Sequence, residues 1–257
     1  MANQIIQINY KEYPEFMFAM VASFLPHYEG DDLRRIAGGV VFIHDKDGRT
    51  YKNGLLHSYD DLPAVINRNI QHGYKNGCQM WYKNGSLHRE GDKPAVINGN
   101  IQEWYKNGSL HRDFDMPAII EDDFKGWYKN GKHHRDNDRP AVIFENAQVW
   151  YMNDLVHREG DLPAIIDGNH QKWYKHGNIH RDGDLPAVIE GNRQVWYKNG
   201  NIHREGDFPA IIDGHYQVWY KNGKRHREHN KPAVIDTIRS YQGWYINGEF
   251  YKDDIID

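Results

Sequence analysis

Apolar and polar positions recur along this chain with a fixed step. Tryptophans stand at Trp81, Trp104, Trp127, Trp150, Trp173, Trp196, Trp219 and Trp244, and every step is 23 residues except the last, which is 25. The prolines from Pro94 to Pro232 keep the same 23-residue step, and the longer step from Pro63 to Pro94 holds an inserted 8 residues, roughly Tyr74 to Trp81. The unit reads Q-x-W-Y-K-N-G-x-x-H-R-[ED]-x-D-x-P-A-[VI]-I-x-G-N, with eight copies of its H-to-P half. A sustained period of this length is the mark of a repeat architecture. Asn-Gly between short runs of aromatic and β-branched residues predicts a hairpin with a type I′ turn, because both central residues must take positive φ. Asn153-Asp154 and His176-Gly177 replace the pair with residues that tolerate the same region. A two-residue loop at Asn107-Gly108 sets Lys106 opposite Ser109, Tyr105 opposite Leu110 and Trp104 opposite His111. Ile97 to Asn100 predicts a second turn, and the proline opening P-A-V-I is tolerated at the first residue of a strand.

The expected fold is therefore all-β: an elongated antiparallel β-hairpin stack of eight 23-residue repeats, with each repeat touching mainly its neighbours. Both ends read as caps. Ser58 stands where later copies carry Arg, and the last copy has Tyr251 and Lys252 in place of His and Arg. Residues 1–39 look different and predict a short helical cap, with the array running over 40–257. Pro14 suits the first turn of a helix that carries Phe16, Met20 and Phe24 on one face, and Pro26 ends it. Asp31 or Asp32 then caps a second short helix bearing Leu33 and Ile36, closed by Gly38-Gly39.

Composition narrows the function classes. Leu, Ile, Val and Phe make up only about a fifth of the chain, against an aromatic share of 13%, so Tyr and Trp supply much of the core. The formal net charge of −4 gives no general attraction for nucleic acid or anionic lipid. The lone Cys78 excludes an intramolecular disulfide and a Cys-based zinc site, which fits a reducing compartment. No apolar run approaches the ~20 residues of a membrane span. Glu12 and Glu15 before the apolar stretch oppose a signal peptide, so the expected location is the cytoplasm.

The W-Y-K-N-G-x-x-H core resembles membrane-occupation-and-recognition-nexus (MORN) repeats. It is more similar still to the W-Y-K-N-G-x-x-H-R-x-x-D-x-P-A repeat proteins of large amoeba-infecting DNA viruses, over residues 51–252. The closing G-x-G of MORN repeats is replaced here by Asp-x-Pro-Ala, which removes the basis for a lipid-binding inference. A viral relationship implies the host-cell cytoplasm or the virion as location. Segment 13–36 is similar to an F-box, with Pro14-Glu15, Leu25-Pro26, Asp32-Leu33 and Ile36 near that motif's positions and one residue missing between Pro14 and Glu15. That resemblance implies a Skp-type adaptor of a cullin ubiquitin ligase as partner, docked through Phe16, Met20, Leu25, Pro26, Leu33 and Ile36.

Candidate chemistry is sparse. Eight histidines from His57 to His226 recur once per copy, and a two-strand unit sets them ~10 Å apart, too far to share a metal at ~2.1 Å. Packing beside the Trp of the paired strand accounts for them better. Arg112, Arg135, Arg158, Arg181 and Arg204 are the candidates for a partner-contacting repeat face. Each is followed by an acid and then by an Asp, which favours Arg–carboxylate ladders over a phosphate-binding ladder. No phosphate loop, nucleophile elbow or paired-carboxylate cleft appears, so neither an enzyme nor a cofactor site is expected. The expected function is a protein–protein interaction scaffold. A structural or virion-assembly protein and an antitoxin or immunity protein are the alternatives.

Overall fold

The computed structural model describes residues 33–37, 40–44, 49–67 and 77–255. Among these, every regular element is a β-strand. Seventeen strands form one antiparallel sheet that follows chain order from Val65–Asn67 to Glu249–Ile255. Among the described residues each pairing joins neighbours in that series, and none joins its first strand to its last. The sheet is thus a stack that grows along one direction. Sixteen spacings of ~4.8 Å give it a length of about 75 Å.

One copy shows how the unit folds. Ile119–Glu121 and Phe124–Gly126 form a hairpin, with Glu121 opposite Phe124 across a two-residue turn in which Asp122 has φ 44°. At Trp127 the chain leaves that sheet and enters a second, smaller hairpin, Tyr128–Lys129 with Lys132–His133. The same sequence of elements recurs in each copy. The expected register at Asn107-Gly108 is observed: Tyr105 faces Leu110, Lys106 faces Ser109, and the His111 amide donates to the Trp104 carbonyl at 3.0 Å. Asn107 and Gly108 have φ of 51° and 83°, Asn153 and Asp154 53° and 69°, and His176 and Gly177 49° and 81°. All three are type I′ pairs, as their residues require.

Each Trp and each Ala of the P-A-V-I run is buried. The Trp127 amide donates to the Ala141 carbonyl and the Ala118 amide to the Gly126 carbonyl, so the main sheet continues one residue past its regular strands. Alanine suits the place because it brings two backbones and an indole together without a side chain in the way. A Cβ on Gly126 would lie 2.9 Å from the Tyr128 ring, which is why glycine fits in that copy. The centre of each main-sheet strand carries another row, in which Ile143 pairs with Gln148, Gln148 with Ile166 and Ile166 with Gln171.

The N-terminal expectation needs correction in part. Leu33–Ala37 is a strand, antiparallel to Val40–His44, and the second helix is absent. The pairing runs from Leu33 opposite His44 to Ala37 opposite Val40, and Gly38-Gly39, the expected helix end, lie outside the described residues. The run Val40-Val41-Phe42-Ile43, β-branched and aromatic, favours the sheet and draws Leu33 and Ile36 into it. Val40–His44 then pairs with Thr50–Lys52, so these strands cover the first small hairpin. This hairpin runs across the boundary expected at residue 39. The first predicted helix, with Phe16, Met20, Leu25 and Pro26, lies outside the described residues, as do the first three residues, 74–76, of the inserted segment before Trp81.

Two outcomes follow from this geometry. A stack about 75 Å long has a radius of gyration above about 22 Å, and small-angle scattering is expected to report it, against ~18 Å for a compact chain of this length. Replacing Asn107-Gly108 by Ala-Ala forces two alanines into positive φ at ~1–2 kcal/mol each. Urea unfolding is expected to show that loss, and hydrogen exchange is expected to rise in the Tyr105–Leu110 hairpin.

Candidate functional site: the inter-copy clamp and the loop rim

The Arg of each copy is the most heavily used side chain in the array. Arg135 lies over the Trp127 ring at 3.8 Å from its centroid. Its Nε and Nη2 donate to the two oxygens of Asp115 in the preceding copy at 2.9 and 3.0 Å, and its Nη1 donates to the Pro140 carbonyl at 3.2 Å. Arg89, Arg112, Arg158, Arg181, Arg204 and Arg227 repeat this arrangement on Asp61, Asp92, Asp138, Asp161, Asp184 and Asp207. A planar fork on a carboxylate, stacked on an indole, is an arrangement lysine cannot reproduce. These side chains are only 10–14% exposed. The expected Arg–carboxylate ladder is present, with one difference. The partner is the Asp before the x-Pro of the preceding copy, not the acid that follows the Arg in sequence.

That following acid has other work. Asp113 accepts from Lys106 at 3.0 Å and lies 2.9 Å from Nε2 of His111. The other ring nitrogen, Nδ1, accepts the backbone N–H of Asn130 in the next copy at 3.1 Å. The second turn residue, Gly131, donates its N–H to the Leu110 carbonyl at 2.8 Å. Both amides of a turn are therefore held by the preceding hairpin, one through His and one through backbone. Sequence reasoning placed the histidines beside Trp but missed this capping role, because it depends on a neighbour 19 residues away. Among the described residues no cluster of three or more His, Cys, Asp or Glu side chains is arranged to hold a metal ion, and no helix is long and apolar enough to cross a membrane.

The first and last copies make other contacts at the clamp position. Ser58 accepts the Tyr82 amide through Oγ at 3.0 Å where other copies place Arg. At the far end Lys252 sits 4.6 Å from the Trp244 centroid, taking the place of the stacked guanidinium. A hollow near this end is lined by Tyr216, Arg225, Asp236 and Tyr245, but Arg225 is turned to the Tyr220 and Tyr245 hydroxyls and Asp236 to the Ile238 and Arg239 amides. Of the adaptor-docking candidates, Leu33 and Ile36 lie on the first strand, opposite His44 and Val41.

What the array offers outward is the rim of the H-R-[ED]-x-D-x-P loops. The residue before each Pro is exposed and changes from copy to copy. It is Leu62, Met116, Leu162, Leu185 or Phe208 in five copies, and Lys93, Arg139 or Lys231 in three. The three cations reach back to the same Asp that the Arg holds: Lys93 to Asp61, Arg139 to Asp115 and Lys231 to Asp207. Phe114, also on the rim, is 89% exposed. Sequence inspection did not single these positions out, since they are where the repeat signal is weakest.

The clamp predicts its own acid limit. The Arg89 hydrogen bond, helped by Lys93, holds the Asp61 carboxyl down at about 2 against an ordinary 3.8, and the corresponding Arg hydrogen bonds lower Asp92, Asp115, Asp138, Asp161, Asp184 and Asp207. A carboxylate with a lowered folded-state pKa stabilises the fold above its unfolded value and loses that contribution as pH falls through the folded one. Circular dichroism is expected to show stability falling between about pH 4 and pH 2. His57 adds a smaller effect: burial, with Lys52 and Lys83, lowers its pKa from 6.5, so stability is expected to decline below pH 6.5 as well. Arg135→Lys keeps the charge and loses the fork and the stack. It is expected to cost about 1–3 kcal/mol in urea unfolding, more than a surface substitution would.

No family model matches this chain, and no curated protein matches it either, so the reading of its function rests on the geometry above.

Proposed function

We propose that this protein is a non-enzymatic protein–protein interaction scaffold. The observation that carries the reading is the division of labour within each copy. Trp, Arg, His, Ala and the turn residues are spent on copy-to-copy contacts, while the rim positions that vary present large side chains to solvent. Apolar side chains in a patch on an otherwise polar surface mark contact sites in soluble proteins. A row of identical folds with variable rim residues is a means of recognising a partner at several points along its length.

The array supports this reading without help from segment 13–36. The Skp-type adaptor remains the partner that the F-box resemblance implies, and a strand at Leu33–Ala37 does not add to it.

The test is selection of peptides displayed as a library against the full chain, followed by counter-selection on a chain carrying F114S, M116S, L162S, L185S and F208S. Circular dichroism should show that this variant keeps the fold, because all five residues are exposed. Binders that lose the variant are expected. Failure to recover any binder that distinguishes the two chains overturns the scaffold reading.

A further inference from the structure

Across each small hairpin a tyrosine faces one residue of the returning strand. Leu56, Leu87, Leu110, Val156, Ile179 and Ile202 fill that place in six copies, and Phe250 fills it in the last. The two exceptions are polar. His133, opposite Tyr128, has a carboxylate to meet, with its Nδ1 3.2 Å from Oδ1 of Asp154. Arg225, opposite Tyr220, has none. Among the described residues no carboxylate forms an ion pair with it, whereas every other arginine from Arg89 onward has one. Its Nε and Nη1 donate only to the neutral hydroxyls of Tyr220 and Tyr245, at 3.4 and 3.3 Å, and its guanidinium lies 5.2 Å from the Tyr245 ring centroid. A half-buried cation held by two long, neutral hydrogen bonds carries a desolvation cost that leucine or isoleucine at this place does not.

This charge stands in a hollow of about 460 Å³ that opens to solvent and is lined besides by Tyr216, Val234, Asp236, Arg239, Tyr241 and Tyr245. Sheet register builds it. Tyr216 and Tyr241 flank Asp236 on adjacent strands, so the three project from one face. Gly243 keeps the space beside them clear, since a Cβ there would lie 2.7 Å from the Tyr241 hydroxyl and 3.1 Å from the Tyr245 ring. Asp236 is committed within its own loop. Its Oδ1 accepts the Ile238 and Arg239 amides at 3.1 Å each, and Nη1 of Arg239 and Nε2 of His215 lie 3.7 and 3.6 Å from its oxygens. The aromatic walls therefore enclose one guanidinium whose charge no protein group answers.

We propose that this hollow binds a small aromatic monocarboxylate, with the carboxylate on the Arg225 guanidinium and the ring among Tyr216, Tyr241 and Tyr245. The site is separate from the loop rim and does not rest on the scaffold reading. Charge selects the class of ligand. The lining sets two guanidiniums against one carboxylate, so a single negative charge completes the balance. Two exposed acids stand on the same face, Asp213 opposite Tyr216 and Asp253 opposite Gly243. They oppose a second negative charge, which disfavours a phosphate dianion, and being exposed they are screened by salt more than the half-buried Arg225 is. A guanidinium offers a carboxylate charge-assisted hydrogen bonds that are shorter and stronger than those to a neutral hydroxyl. Volume and walls select the body of the ligand. Small-molecule pockets occupy about 300–1,000 Å³, and tyrosine rings pair with another aromatic ring in offset or edge-to-face contact.

The probe is 2-naphthoate, and its binding to the full chain is followed by ligand-observed NMR. A Kd of about 0.1–1 mM is expected, the range open to one charge-assisted contact and one buried ring. Binding is expected to weaken at least tenfold in Arg225→Ile and to a smaller extent in Arg239→Gln, with Lys132→Gln, outside the hollow, unchanged. Arg225→Ile places there the residue that Ile202 supplies in the preceding copy, so the fold is retained, and circular dichroism verifies this. Neutral 2-naphthamide and non-aromatic cyclohexanecarboxylate are each expected to bind more weakly than 2-naphthoate. No binding of 2-naphthoate at millimolar concentration, equal binding to Arg225→Ile, or equal binding of either analogue overturns the proposal. Tighter binding of 2-naphthyl phosphate overturns it in favour of a dianion site, and binding of a tetrapeptide ending in Phe but not of 2-naphthoate overturns it in favour of a chain terminus.

Discussion

The guanidinium stacked on tryptophan and forked onto the preceding copy's aspartate is the contact on which the rest of this structure depends. A 23-residue unit with two three-residue strands and two two-residue strands has little apolar surface of its own to bury. It gains order from its neighbours. The Arg–Trp stack lays a flat cation on a flat ring, and the carboxylate on the far side fixes which neighbour that must be. Because the Asp belongs to the previous copy and the Pro carbonyl to the current one, a single side chain sets the distance and rotation between copies. Ion pairs of this kind on an open surface stabilise little. Here the arginine is mostly covered and its donors are distributed over two copies, so it specifies register as much as it stabilises.

The same logic runs through the small hairpins. A type I′ turn exposes two amides at its tip, and in this array each is taken by the hairpin before it. His111 receives the Asn130 N–H and Leu110 receives that of Gly131. Glycine at the second turn position serves for its positive φ, since a Cβ added at Gly131 would meet Ser109 only at an ordinary contact distance of 3.7 Å. The array is therefore held by two parallel ladders, one at the loops and one at the hairpin tips, on either side of the buried Trp and Ala rows. The first and last copies depart from the loop ladder only: Ser58 accepts the Tyr82 amide where other copies place Arg, and Lys252 stands over Trp244.

Function, on this reading, is confined to what the ladders leave over. The residue before proline varies from copy to copy because the clamp is built by Trp, Arg, the preceding copy's Asp and the proline carbonyl without its side chain. A cation there joins the clamp, as Lys93 does on Asp61, whereas a leucine or phenylalanine stays at the rim. A change of one residue per copy thus converts a self-neutralised loop into an apolar contact point, without disturbing the stack.

The sequence by itself determined the repeat, the turns and the pairing register. Asn-Gly compels a two-residue hairpin, and a two-residue hairpin decides that Tyr105 faces Leu110 whatever surrounds it. It determined the existence of Arg–carboxylate ladders too, since each copy carries equal and opposite groups. Tertiary structure decided which acid meets which arginine, because Asp115 and Arg135 are 20 residues apart in the chain and meet only when copies stack. It decided the role of the histidines for the same reason. At the N-terminal side it overrode local spacing: Leu33 and Ile36 fit a helical face, but pairing with the β-branched strand Val40–His44 satisfies their backbone in a sheet. The loop conformation likewise escaped the sequence. In Glu90-Gly91-Asp92 both Gly91 and Asp92 have positive φ, whereas in the identical tripeptide Glu159-Gly160-Asp161 only Gly160 does, and a choice between two accessible backbone states is made by packing rather than by the residues themselves.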